Sequence, residues 1–150
     1  MLMRRAAAVA SAMLITAVSG AASAEEHIVK MLNNNGKGKF MLFEPGVIKA
    51  KVGDTVKFVP TNKGHNAEAI KDLLPAGAEA FKGGMGKEIV VTFTTPGAYG
   101  VKCAPHLGMG MVALVVVGTD PVDLDAVKAV KLPKKAQERM TAIIDQLAVL

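Results

Sequence analysis

The chain has 150 residues, a net charge of +5, 51% hydrophobic and 4% aromatic residues, one cysteine and three histidines. That size suits one domain with one core, and a single cysteine excludes an internal disulfide. The basicity is mild and lacks the Arg-rich runs and clustered aromatics of a nucleic-acid binder.

The first predicted element is a leader. Arg4 and Arg5 precede a 13-residue apolar run over 6–18, and small residues then lead to Ala22-Ser23-Ala24. A short basic region, a modest apolar run and an A-x-A site predict a secretory signal peptide over 1–24, cut after Ala24. A membrane anchor would need about 20 apolar residues. No later segment is long and apolar enough to span a bilayer. Residues 25–150 then form the mature chain, with 16 basic residues against 13 acidic ones.

Short strands broken by turn residues follow. Residues 27–32 form the first, ended by the loop signal Asn33-Asn34-Asn35-Gly36. Strands over 40–43 and 47–52 flank Glu44-Pro45-Gly46, where the proline marks a bend or strand edge. Residues 55–61 alternate, with Val56, Phe58 and Pro60 on one side and Lys57 and Val59 on the other. Residues 72–82 read as a long connection with room for a short helical turn. Residues 88–93 and 97–103 are further strands on either side of Thr95-Pro96-Gly97, and 111–117 is a continuous apolar run suited to a strand buried on both faces. This pattern predicts an all-β fold, an antiparallel sandwich or barrel over 25–118. Beyond Gly118 the period changes to 3.6. Asp120-Pro121 opens a helix over 122–130, and Pro133 opens a second whose stripe is Ala136, Met140, Ile143, Ile144, Leu147 and Leu150. Two C-terminal α-helices over 119–150 are expected to cap the sandwich, although so strong a stripe also suits a membrane surface or partner helix.

The chemistry concentrates in Cys103-Ala104-Pro105-His106-Leu107-Gly108-Met109-Gly110-Met111. Thiolate and thioether are soft ligands that, with imidazole, match copper cycling between Cu(I) and Cu(II). His65, in the loop Lys63-Gly64-His65-Asn66, can supply a second imidazole. Two His and one Cys with a weak axial Met is the ligand set of a blue-copper electron-transfer site. Taken singly, Cys103 reads as a small core hydrophobe, Met109 and Met111 as gap-fillers, His106 as a turn residue after a proline, and His65 as a solvated residue of a glycine-containing loop. Together, at strand ends, they fit metal binding better. A Cys–His hydrolase would need a third group to orient the base, and no thiol-protease signature surrounds the pair. Methionine is not a usual zinc ligand, and a multicopper enzyme needs histidines that the chain lacks. Spacing leaves Met109 and Met111 both open as the thioether; Met111 opens the apolar run, where a strand would fix its direction. His27 receives no role.

Gly64-His65-Asn66, then Cys103-Ala104-Pro105-His106 and Gly108-Met109-Gly110-Met111 with C-x2-H-x4-M spacing, closely resembles the cupredoxin family of small type 1 copper proteins. The two helices after Gly118 and the basic balance set the chain apart from plastocyanin. The resemblance implies a Greek-key sandwich of about eight strands and one type 1 copper per chain, held by His65, Cys103, His106 and Met111. It implies that Asn66 braces the ligand loop and that His106, with Met41, Pro105 and Leu107, forms an apolar patch ringed by Lys63, Lys82 and Lys102. Asn35 stands where relatives often carry a lysine, leaving Lys37 or Lys39 to complete the ring. The expected role is a monomeric, non-enzymatic periplasmic electron carrier. Its acidic partners would be nitrite reductase, another periplasmic reductase or a c-type cytochrome. A periplasmic copper chaperone or buffer is the alternative.

Overall fold

The computed structural model describes residues 22–150; most of the predicted leader, residues 1–21, lies outside the described residues. In β1 (Glu26–Asn34) Val29 and Met31 point inward while Ile28 and Lys30 face solvent, the period-2 pattern of a half-buried strand. β2 (Phe40–Glu44) returns antiparallel, pairing Met31 with Phe43. The peptide between Glu44 and Pro45 is cis, and there the chain crosses to the second sheet. β4 (Thr55–Pro60) lies parallel to β1, and β6 (Ile89–Thr92) closes that sheet in the order β2-β1-β4-β6. The other sheet has the order β3-β8-β7-β5, built from β3 (Val47–Ala50), β5 (Glu68–Ala69), β7 (Gly97–Lys102) and β8 (Val112–Val117).

Among the described residues, eight strands in two sheets bear out the sandwich, but it is mixed rather than wholly antiparallel. β1 runs parallel to β4, and β3 runs parallel to β8. Strand pairs separated by crossovers carry no local turn signal, so alternation alone does not reveal their direction. The connection after β5 contains no helical turn of the kind expected over 72–82. Two isolated turns stand there instead, closed by Leu73 N–H on Ile70 C=O at 2.9 Å and by Ala78 N–H on Pro75 C=O at 3.1 Å, and Lys82 makes an isolated antiparallel bridge to Glu68.

The two sheets share a core in which Phe43, Phe58, Phe81, Phe93 and Tyr99 meet ring to ring at 4.8–6.2 Å. The Tyr99 hydroxyl donates to Thr95 C=O at 2.7 Å, giving its buried polar end a partner. β8 is buried on both faces, as its unbroken apolar run predicts. Ala113, Val115 and Val117 face the inter-sheet core. Val112, Leu114 and Val116 face the helices.

α1 (Leu124–Ala129) starts later than the Asp120-Pro121 signal, because Asp123 is the residue whose carboxylate accepts the Ala126 N–H, at 3.0 Å. That bond satisfies one of the free N–H groups of the first turn. α2 (Lys134–Leu147) begins after Pro133 as expected and buries Ala136, Met140, Ile143 and Ile144 against the outer face of β8 and β3. Leu147 is half-buried, and Leu150 lies past the helix end and is exposed. The part of the stripe from Ala136 to Ile144 is therefore covered by the protein's own sheet.

Candidate metal centre

Three loops at one end of the sandwich meet around Cys103. The first follows β4 and carries His65 and Asn66. The second is the 3₁₀ segment Ala104–Met109 between β7 and β8. The third is the turn at 83–87, whose Gly86 N–H donates to His65 C=O at 2.8 Å. Gly110 ends the 3₁₀ segment at φ +92, and its N–H donates to Leu107 C=O at 3.0 Å. An L-residue with a side chain is disfavoured at that φ, and a Cβ there would also approach Lys135 C=O of α2 to 2.9 Å. The glycine lets the loop turn back tightly enough for Cys103 N–H to donate to Met111 C=O and Met111 N–H to His106 C=O, both at 3.1 Å.

These backbone bonds bring the side chains together. His65 Nδ1 and His106 Nδ1 are 3.1 Å apart, and Cys103 Sγ lies 3.7 Å from the first and 3.5 Å from the second. The centre of a triangle with those sides is about 2.0 Å from each corner, the scale of first-row metal bonds to imidazole (about 2.0–2.1 Å) and thiolate (about 2.3 Å) known for zinc. The donor set therefore fits a single ion. Cys103, His65 and Met111 are all buried, whereas His106 is partly exposed.

Electrostatics suit the same use. Burial, and then the neighbouring His106, lower the pKa of His65 and favour the neutral imidazole that binds metal. Burial chiefly raises the pKa of the Cys103 thiol, while N–H groups of Asn66 and His106 act the other way. A cation held by this thiol would favour its thiolate form.

Asn66 braces the loop as expected. Its Oδ1 accepts the Ala104 N–H at 2.8 Å, and its Nδ2 donates to Gly83 C=O at 3.2 Å and to Glu68 at 3.0 Å. Sequence reasoning missed Asn33, whose Oδ1 is 2.8 Å from His65 Nε2. That contact fixes the ring so that Nδ1 is the nitrogen left for a metal. It also missed Glu68, which pairs with Lys102 Nζ at 3.4 Å as well as with Asn66.

Of the residues expected to form the apolar patch with His106, Pro105 is exposed and Met41 and Leu107 are half-buried, and Met109 beside them in the loop is exposed. Met41 adopts φ +46, and Arg139 of α2 donates to Met41 C=O at 2.6 Å and to Phe40 C=O at 3.1 Å. Of the expected lysine ring, Lys63 and Lys82 are exposed, while Lys102 is half-buried against Glu68. Asn35 folds back into its own loop, its Oδ1 accepting from Lys37 and Lys39 N–H, and both of those lysines are exposed.

A family model described as copper binding proteins of the plastocyanin/azurin family matches residues 29–118. Among curated relatives, the chain is 52% identical to the pseudoazurin of Paracoccus pantotrophus, covering 94% of this chain and 95% of that one. It is 46% identical to that of Methylorubrum extorquens, covering 98% and 99%. Among solved structures, a crystal structure of pseudoazurin from Methylobacterium extorquens AM1 superposes with a TM-score of 0.76 at 50% identity, over 81% of this chain and 98% of that one. The pseudoazurin of Hyphomicrobium denitrificans gives 0.76 at 49% identity, over 81% and 97%. The family model stops at Gly118, so the two helices enter the likeness through the pseudoazurin relatives.

Proposed function

This chain belongs to the plastocyanin/azurin family of copper-binding proteins, in its pseudoazurin branch, and from that premise we propose that it carries single electrons in the periplasm to a denitrification reductase such as nitrite reductase. Its cofactor is copper. We assign His65 through Nδ1, Cys103 through Sγ and His106 through Nδ1 as the residues that would hold it, with the Met111 thioether as a weaker fourth donor. The convergence of three donor atoms on one point, about 2.0 Å from each, carries this assignment.

Copper in such a soft, imidazole-containing site supplies one-electron chemistry; the chain supplies everything else. Asn33 and Asn66 hold His65 and the cysteine loop by hydrogen bonds, so the donor positions do not depend on the charge state of the site. Burial of Cys103 and Met111 excludes water. Only the His106 edge approaches solvent, through the apolar ground of Pro105, Leu107, Met109 and Met41. That edge is the exit for the electron, and no bond in a substrate is made or broken. The leader over 1–24 directs the chain to the periplasm and leaves a mature protein beginning at Glu25. The positive groups near the exit suit an acidic partner, whether a reductase or a c-type cytochrome.

A visible spectrum tests the reading. The Cu(II) protein should show an intense sulfur-to-copper band that bleaches on reduction and is absent from Cys103→Ser. Reduced protein mixed with nitrite reductase should reoxidise in a second-order step. A pale copper-loaded wild type would refute the carrier assignment.

A further inference from the structure

At the far end of β1 from His65, the ligand-type atoms of Glu25, His27 and Asp54 lie within 4.8 Å of one another. The Glu25 backbone nitrogen is 2.8 Å from Asp54 Oδ1, and His27 Nε2 is 3.1 Å from Asp54 Oδ2. Asp54 is buried, and its Oδ2 also accepts the Lys51 N–H at 2.8 Å. Its carboxylate is an anchor that holds the start of the strand.

Cleavage after Ala24 changes the chemistry of this end. The Glu25 nitrogen becomes a free α-amine, and His27 becomes the third residue. A terminal amine, the amide nitrogens of the second and third residues and the Nδ1 of a third-residue histidine close two five-membered rings and one six-membered ring around a single ion. Four nitrogens in a plane suit Cu(II) and Ni(II). The structure presents the imidazole in the required sense. Nε2 faces Asp54, and an Nε2–H held there leaves the lone pair on Nδ1.

We propose that the mature chain binds one Cu(II) or Ni(II) ion at its N-terminus, through the Glu25 α-amine, the Glu26 and His27 amide nitrogens and His27 Nδ1, with Asp54 holding Nε2–H. The site rests on the leader reading given above. Binding releases the amide protons of Glu26 and His27, and that of the amine where it is an ammonium; the ion stays divalent and no electron moves. The chelate draws residues 26 and 27 out of the end of the β1–β4 ladder, whose first pairs are Glu26 with Thr55 and His27 with Val56. Strand ends are where opening costs least. Because no thiolate or thioether takes part, the site favours Cu(II) over Cu(I) and does not share the carrier centre's cycle. Six residues at about 3.3 Å each separate His27 from Asn33, which touches His65, so the two sites are about 20 Å apart along β1.

The test uses protein exported with its own leader, loaded with one copper at the blue site, and its N-terminus read by intact mass. Ni(II) is added and the chain passed through a desalting column. A chain starting at Glu25 should retain one nickel with the blue band unchanged. His27→Gln should retain none, and neither should a chain with one alanine added ahead of Glu25, which moves His27 to fourth place. A chain that starts at Glu25 and holds no nickel overturns the site and leaves the leader reading intact. A chain starting elsewhere overturns both. Nickel held equally by the extended chain overturns the amine chelate and points instead to the Glu25, His27 and Asp54 side chains.

Discussion

Asn66→Ala tests whether the ligand loop is held by the bonds described above. Asn66 is 2% exposed and makes three hydrogen bonds, to Ala104 N–H, Gly83 C=O and Glu68. Truncation leaves two backbone groups, the Ala104 N–H and the Gly83 C=O, without their partner. Each orphaned group costs about 1–3 kcal/mol when water cannot replace the bond. Glu68 keeps Lys102 at 3.4 Å, so its loss counts for little. Ala104 lies near the surface and Gly83 is buried, which places the sum at about 2–4 kcal/mol against a typical total of about 5–15. With a urea slope of about 2 kcal/mol per molar, the midpoint of the metal-free protein should fall by about 1–2 M. The copper-loaded variant should keep a sulfur-to-copper band, shifted in energy, because Cys103 adjoins the freed Ala104. A midpoint lowered by less than about 0.3 M together with an unmoved band would refute the bracing argument.

Three further outcomes are expected. Met111→Leu should raise the reduction potential and alter the spectrum, because the axial ligand tunes such a site, whereas Met109→Leu should leave both nearly unchanged; voltammetry of the two variants decides between the thioethers. Stability should fall as acid is added from about pH 4 to pH 2: N–H groups of Glu25 and Lys51 and the His27 side chain lower the Asp54 pKa from 3.8 to about 2, so its contribution is whole above the unfolded value and lost as pH drops through the folded one. Asp54→Asn should flatten that limb in acid-titrated urea melts. Lys82→Glu should slow the second-order reaction with an acidic reductase at low salt more than Lys102→Glu does, because Glu68 already pairs with Lys102; equal slowing would refute the masking of Lys102 by Glu68, and no slowing by either would refute steering by this face.

What the chain makes legible follows from where the information is local. The run over 112–117 announces its double burial because every residue in it is apolar, and β8 is buried at all six positions. Cys103 and His106 are three residues apart on one tight loop, so their type and spacing suffice to suggest a shared ion. His65 needs the fold, but its rarity singles it out in a chain with three histidines. Asn33 has no such mark. It sits in a run of three asparagines that reads as a turn, and its contact with His65 spans 32 residues. β5 is two residues long, too short for any period, yet it places Glu68 beside Lys102 and Asn66. The parallel pairings were hidden for the same reason: register between strands far apart in sequence is a property of the closed sandwich.

The helical cap bears on the copper site although none of its residues is a proposed ligand. β8 is the shared wall: alternate residues face the inter-sheet core and the helices, and its first neighbour upstream is the buried Met111. α2 presses on the outer face of that wall through Met140, Ile143 and Ile144, while its first turn closes on Gly110, where no side chain fits against Lys135 C=O. Farther along, Arg139 reaches across to the carbonyls of Phe40 and Met41 and so ties the rim of the His106 patch to the same helix. A close-packed interior transmits strain instead of absorbing it. The loop that leads into Met111 and the carbonyls of Phe40 and Met41 are therefore both held by one helix from outside the sandwich. That is a physical reason for the helices to accompany the ligand loop in the pseudoazurin relatives, which match this chain beyond the family model's limit at Gly118.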